Sequence, residues 1–518
     1  MRPIKTEHKL IAAIMSCSLA VFALAACTTP DSGDKTSEAV SSDTITISSD
    51  LSEAFSDKDL DVSYDESEVQ TITLNGASAT SDSSSVKIEG PVITIKGKGT
   101  YVITGTLDDG YIVVDAGNSD DIRIILKDAS ITSSDYAALY CLNADNVYIT
   151  LDSNTRNVLK NGGAFDSKDD NNVDGAIFAK TDIAINGSGS LEVISTDHGI
   201  VGKDDVTIAG GNIVINSTSD GIQANDSVVI QEAVIDITCG KDGIQADNDK
   251  DLTKGYVYIS SGTVTISAGD DGITASSYLQ IDGGTVDITE SYEGLEGQNI
   301  TINGGVISIV SSDDGINAVS ATSSGEVMQA DGASTLTING GEIYVRTQGD
   351  GVDSNGTFEM TGGTLTVMGP TSGANGSLDV NGSAVITGGT VIMAGASGMA
   401  TNFTSASQGT ILINTGNQAS GSEIKVTDSS GKVILQATAD SSYQTVLVSS
   451  PDLVQGNSYT ITAGSYSETI TLTDNLYGSG AGFGGPGGGF GDPGAGGPGG
   501  GFGDPGAGGP GGRERPVN

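Results

Sequence analysis

The chain has no tryptophan, two histidines and four cysteines in 518 residues. Cys17 and Cys27 both fall within the first 27 residues, which leaves too few ligands elsewhere for a Cys₄ or Cys₂His₂ zinc site. The remaining pair, Cys141 and Cys239, is too sparse for a disulfide framework, so both are expected as buried free thiols. Basic residues are scarce: 23 Lys and Arg stand against 66 Asp and Glu, a formal net charge of −43. Such a chain has no basic stripe to neutralise phosphates, which argues against nucleic acid as a partner. Hydrophobic residues at 36% and aromatics at 5% are low, yet Val and Ile recur evenly through the middle, enough to build a core there.

The two ends differ in composition from the middle. Arg2, Lys5 and Lys9 precede an apolar run from Leu10 to Leu24, the pattern of a signal peptide and too short for a confident membrane span. Leu24-Ala25-Ala26-Cys27 resembles a bacterial lipobox, in which the cysteine is acylated and becomes the mature N-terminus. Residues 1–27 are therefore expected to export the chain and anchor it through Cys27 to the extracellular face of the cell membrane, its only membrane contact. Residues 28–49, rich in Ser, Thr and Asp, suit a flexible tether. Residues 476–518 are dominated by Gly and Pro and repeat Gly489-Phe490-Gly491-Asp492-Pro493 as Gly501-Phe502-Gly503-Asp504-Pro505. This tail cannot bury a core. It is not collagen, because glycine does not fall at every third position.

The middle is organised by a repeat of about 22 residues. One motif is an acid, Gly, an aliphatic residue, a polar residue and often Ala: Asp220-Gly221-Ile222-Gln223-Ala224, Asp242-Gly243-Ile244-Gln245-Ala246, Asp271-Gly272-Ile273-Thr274-Ala275, Glu293-Gly294-Leu295, Asp314-Gly315-Ile316-Asn317-Ala318 and Asp350-Gly351-Val352. An earlier copy is His198-Gly199-Ile200. Between copies lie alternating segments broken by Gly-Gly, as in Val206–Ile215 and Ile300–Ile309. Period-two alternation of β-branched residues predicts short half-buried strands, and the glycines predict tight corners. Three strands and three corners per repeat predict an all-β, right-handed parallel β-helix over residues 50–420. Asp247–Lys254 and Ala321–Ala333 are expected as corner insertions. Residues 421–475 alternate without Gly-Gly corners and are expected as a small antiparallel cap or separate β domain.

Alignment of the repeats on their glycine places His198, Asp220, Asp242, Asp271, Glu293, Asp314 and Asp350 in one column. Asp174, Asp197, Asp270 and Asp313 stand one place earlier. A single Asp-Gly is an ordinary turn pair, but stacked repeats would hold these carboxylates about 5 Å apart, where like charges repel by ~3 kcal/mol per pair at a partly shielded surface. A Ca²⁺ ion, which takes six to eight oxygen ligands in flexible geometry, would relieve this. Asp270/Asp271 and Asp313/Asp314, flanking Glu293, are the strongest candidates. His198 is expected as a hydrogen-bonded turn residue rather than a catalytic base. Tyr278 and Tyr292, near corners of successive repeats, are candidates for stacking on a sugar ring or for packing.

With the run Gly99-Thr100-Tyr101-Val102-Ile103-Thr104-Gly105-Thr106-Leu107-Asp108-Asp109-Gly110, the segments Ile124–Thr132 and Val147–Leu151 and the Asp-Gly-Ile repeats, residues 50–475 resemble the bacterial calcium-binding parallel β-helix carbohydrate-binding proteins of cell surfaces, which are similar in fold to polysaccharide lyases. The resemblance implies a non-catalytic monomer that binds plant cell-wall polymers such as polygalacturonate or cellulose and carries calcium on acidic corners. His198 departs from that pattern. Scarce aromatics disfavour flat cellulose, and the negative charge calls for cations between protein and polyanion, so calcium-dependent binding of acidic sugars is preferred. Two alternatives remain: a uronate lyase using a calcium-assisted Lys or Arg base, with Lys203, Lys241 and Arg346 as the candidates, and a non-catalytic structural adhesin stalk.

Overall fold

The computed structural model describes residues 51, 54–248, 250–320 and 332–478. The expected signal peptide, the Cys27 anchor, the tether, the tail beyond residue 478 and most of the second corner insertion lie outside the described residues. Among the described residues, no helix is long and apolar enough to cross a membrane.

Alternating aliphatic and polar residues form short strands throughout. Among the described residues they assemble into one large, mostly parallel sheet of 39 strands and a separate antiparallel sheet of four. The helix Asp57–Leu60, capped by Ser56, is a four-residue element that strand periodicity did not foresee.

The parallel pairs fall into three series. In the first ladder, Ile200 pairs with Ile222, Ile222 with Ile244, Ile244 with Ile273, Ile273 with Leu295, Leu295 with Ile316 and Ile316 with Val352. Each of these side chains is fully buried, and full burial stabilises by roughly 1.5–3 kcal/mol per side chain. The second ladder runs through Asn146–Leu151, Asp182–Gly187, Asp205–Ile208, Ser227–Ile230 and Tyr256–Ile259. The third runs through Ser190–Ile194, Asn212–Asn216, Val234–Thr238 and Thr263–Ser267, with inward residues buried and outward residues exposed.

Glycine serves two purposes in this arrangement. Gly305, the second glycine of a Gly-Gly corner, has φ +92°, a conformation other residues adopt only with strain. Gly243 of an Asp-Gly motif is required by close approach instead: a Cβ there would lie 2.5 Å from the Gly272 carbonyl oxygen and 2.5 Å from Ile266 Cγ2.

The segment expected as a cap is divided. Glu423–Asp428, Val433–Thr438, Ser458–Ala463 and Tyr466–Thr471 form the antiparallel four-stranded sheet. Tyr443–Ser450, within the same segment, instead joins the large sheet, antiparallel to both Thr390–Gly395 and Gly409–Gln418. That pairing covers a strand edge that would otherwise stay open. Cys141 and Cys239 are buried free thiols, each pushed up to about 12 by burial.

Candidate functional site: a buried acidic column

The backbone places the motif acids in one file. The N–H of five motif glycines donates to the carbonyl of the next repeat's acid: Gly221 to Asp242, Gly243 to Asp271, Gly272 to Glu293, Gly294 to Asp314 and Gly315 to Asp350. Side chains bond along the same file. The Asp242 amide donates to Asp220 Oδ1 at 3.2 Å, Asp271 to Asp242 Oδ1 at 3.1 Å, Glu293 to Asp271 Oδ1 at 3.1 Å and Asp350 to Asp314 Oδ1 at 2.6 Å. One oxygen of most motif acids therefore closes the corner of the following repeat, a structural duty that Asp performs with its short side chain.

The second oxygen is governed by a residue three places on. Gln223 Nε2 donates to Asp220 Oδ2 at 3.3 Å and Gln245 Nε2 to Asp242 Oδ2 at 2.6 Å, whereas Asn317, at the same place after Asp314, reaches back to the preceding repeat and donates to Glu293 Oε2 at 2.9 Å. Two repeats place an acid there instead, Glu296 and Asp353, and acids then gather. Ligand oxygens of Asp271, Glu293 and Glu296 lie within 4.8 Å of one another, as do those of Asp314, Asp350 and Asp353 and those of Asp242, Asp270 and Asp271. Glu296, Asn317, Asp353 and Asp379 share one register position of the first ladder. Sequence reasoning missed them; the signal was the variable fourth place of the motif, where donors give way to acids.

Burial and mutual repulsion resist ionisation across these groups. Burial, then the charge of Asp220, pushes Asp242 up to about 7. Burial raises Asp314 to about 7 and Asp350 to about 6, and burial with the charges of Asp314, Asp350 and Asp379 raises Asp353 to about 8. Asp271 and Glu293 are pushed up as well, by burial first and then by neighbouring carboxylates. Among the described residues, His198 is the only basic group in an ion pair with the column: Nδ1 lies 3.0 Å from Asp220 Oδ2, and Nε2 lies 3.6 Å from Asp197 Oδ1. Burial opposes its charge most, but the Asp220 hydrogen bond and the charges of Asp220, Asp174 and Asp197 together outweigh it, and the His198 pKa is raised.

The other expected residues divide. Asp174 stands beside His198, whose amide donates to the Asp174 carbonyl; its Oδ1 is buried without a partner. Asp313 is in none of the three acidic groups; the Tyr292 phenol bonds it, which pushes Tyr292 up to about 12. Tyr292 is 48% exposed at the corner between Asp270 and Asp313. Tyr278 belongs to the second ladder, paired with Tyr256, and donates to Gln280 Oε1 at 2.8 Å, so the two tyrosines do not share a face of one ladder. Of the candidate bases, Lys203 Nζ stands 5.3 Å over the Phe178 ring, Arg346 lies on the third ladder opposite Val310, and Lys241 is an exposed corner residue.

Two observations bear on whether this donor set fits a hard cation. The buried Oδ1 of Asn317, beside the acidic groups, has no hydrogen-bond partner. A Cβ at Gly349 would lie 2.5 Å from Oδ1 of both Asp313 and Asp314, so the missing side chain lets two carboxylate oxygens converge on that backbone. Oxygen-only donors in close groups, with no lysine or arginine ion-paired to them among the described residues, fit Ca²⁺ by ligand chemistry.

Comparison with known proteins bears on the family. A carbohydrate-binding domain-containing protein of Acetivibrio thermocellus is 33% identical over 123 residues, 23% of this chain and 43% of that relative. The chain thus spans less than half the length of this curated relative. A solved structure described as the polysaccharide lyase-like protein from C. thermocellum, gadolinium derivative, shares 30% identity, covering 46% of this chain and 93% of that chain with a TM-score of 0.41. A family model for carbohydrate-binding domain-containing proteins matches residues 89–333. Over that segment, the chain is similar in sequence to the carbohydrate-binding family that its glycine motifs resemble.

Proposed function

We propose that this chain is a cell-surface lipoprotein that binds polysaccharide through a calcium-loaded acidic face. Its three ladders would wind as a right-handed parallel β-helix, the hand expected for parallel crossovers. The family match over residues 89–333 supports carbohydrate binding. The observation that carries the calcium reading is the pair of acidic groups around Glu296 and Asp353, where the usual amide donor is replaced by a third acid. At an effective dielectric near 20, two carboxylates 4.8 Å apart repel by roughly 3.5 kcal/mol, so three ionised acids in one group need a cation or a proton. Asp271, Glu293 and Glu296 would hold one ion, and Asp314, Asp350 and Asp353 another, with Asp242 and Asp270 extending the first.

Bound calcium would supply the positive charge that an acidic surface lacks for a uronate polymer, so polygalacturonate is the favoured ligand. The reading is non-catalytic: Arg346 belongs to a different ladder from the acids, and Lys203 is committed to Phe178. The test is immobilised-polygalacturonate binding with calcium and with chelator, for the parent chain and for Glu296→Gln with Asp353→Asn. Calcium-dependent retention that the double variant weakens at least fivefold is expected. Equal retention in calcium and chelator would defeat the reading, and the appearance of unsaturated uronide absorbance would replace it with lyase activity.

A further inference from the structure

A different part of the molecule holds a cavity of about 220 Å³. It lies between the second ladder and the N-terminal segment that contains the helix Asp57–Leu60. That segment is tied down at several points. Lys58 Nζ lies 2.6 Å from Asp121 Oδ2, Asn186 Nδ2 donates to the carbonyls of Asp59 at 2.8 Å and Asp61 at 3.2 Å, and the Phe55 ring packs 6.2 Å from that of Tyr258. It forms one wall of the cavity with Asp59, and the ladder forms the other with Asn146, Tyr148, Asp182, Asp205 and Tyr256.

The volume corresponds to roughly seven waters at about 30 Å³ each, which suits one sugar ring rather than a chain. The lining is mixed: two tyrosines, an amide, hydroxyls and three carboxylates, with no lysine or arginine among them. This is the composition expected of a site that holds an apolar ring face and orients polar substituents. Its charge selects further. Lys58 and Lys254 flank the cavity but are paired to Asp121 and Asp226. Asp182 and Asp205 form no ion pair among the described residues. Asp182 Oδ1 accepts the Asp205 amide at 3.3 Å, and Ser227 Oγ donates to Asp205 Oδ1 at 2.6 Å, so both carboxylates are held in place side by side on adjacent strands. Burial raises the pKa of each, and neighbouring acids add to it. A uronate would meet repulsion here, and a neutral sugar would leave this charge unanswered.

We propose that this cavity binds one protonated amino-sugar unit, its ammonium placed between Asp182 and Asp205 and its ring against Tyr256. The site lies on a separate ladder from the acidic column and extends the polysaccharide-binding reading to a second, cationic class of sugar. An ammonium beside two held carboxylates adds ionic attraction to its hydrogen bonds, which a neutral hydroxyl or acetamide at the same ring position does not.

Isothermal titration in chelator, with D-glucosamine, D-glucose, N-acetylglucosamine and D-galacturonate as probes, tests this without calcium. Glucosamine is expected to bind at least tenfold more tightly than the other three. Asp182→Asn with Asp205→Asn keeps the side-chain oxygens that accept from Asp205 N and Ser227 Oγ, and it should abolish that preference with an unchanged melting curve. Asp59→Asn, on the covering segment and outside the ladder, should weaken glucosamine binding and serves if the double variant fails to fold. Equal affinity for glucose, no detectable glucosamine binding, or a preference that survives both variants would overturn the proposal. Glu296→Gln should leave glucosamine binding unchanged, so failure here and failure of calcium-dependent uronate binding are separate results.

Discussion

Removing calcium should make the stability of this protein fall as pH rises from 5 to 7.5, the reverse of ordinary acid denaturation. Carboxyl groups titrate near 4 in an unfolded chain, whereas Asp242, Asp314 and Asp353 are raised to about 7, 7 and 8 in the folded one. A carboxyl whose folded pKa lies above its unfolded value binds more protons when folded. Its stabilising proton is therefore lost as pH climbs between the two values. If each of these three carboxyls retains its proton at pH 5 and surrenders it only near 7–8, two pH units cost about 2.7 kcal/mol per carboxyl and roughly 8 kcal/mol together. An unfolding entropy of about 2.1 cal/mol/K per residue over roughly 400 residues converts this to a melting-temperature drop of roughly 10 °C. Calcium should oppose the drop. At a hundredfold excess over its dissociation constant, each occupied site restores about 2.7 kcal/mol, and the effect should vanish near pH 5, where protons compete for the same oxygens. Differential scanning calorimetry at pH 5, 6, 7 and 7.5, with chelator and with millimolar calcium, reads both trends. A chelated protein that gains stability across this range, or a calcium increment equal at pH 5 and 7.5, would refute the reasoning.

Single substitutions separate the structural and charged duties of the column. Asp242→Asn keeps an oxygen for the Asp271 amide but turns an amide nitrogen toward the Gln245 donor, so by denaturant titration it should cost less than Asp242→Ala, which orphans that buried amide and should cost about 1–3 kcal/mol. Glu296→Gln, which removes one charge from a group of three, should stabilise the chelated protein by ~1–3 kcal/mol and shrink the calcium increment. Gly243→Ala drives a methyl group to within 2.5 Å of the Gly272 carbonyl and should destabilise by about 1–3 kcal/mol, a loss that calcium does not recover. Ile244→Ala, which opens a void in a fully buried stack, should cost about 2–5 kcal/mol in the same assay.

The periodicity of this chain determined its strands. Alternating Ile and Val with a recurrent Asp-Gly-Ile motif dictated short strands and the vertical pairing of Ile222, Ile244 and Ile273, because only equal registers bury every aliphatic side chain at once. The same pattern placed Asp220, Asp242, Asp271, Glu293, Asp314 and Asp350 in one file, since residues at equal positions of stacked repeats must neighbour one another. Tertiary structure alone decided what each acid touches. Glu296 and Asp353 join the acidic groups because the fourth motif residue lies beside the acid three places before it, a side-chain relation that spacing does not encode. Tyr278 and Tyr292, although near in sequence, end up apart, Tyr278 on a strand of the second ladder and Tyr292 at a corner. The cavity beneath residues 54–61 was equally hidden, since it depends on Lys58, Phe55 and Arg123 joining partners more than sixty residues distant in the chain.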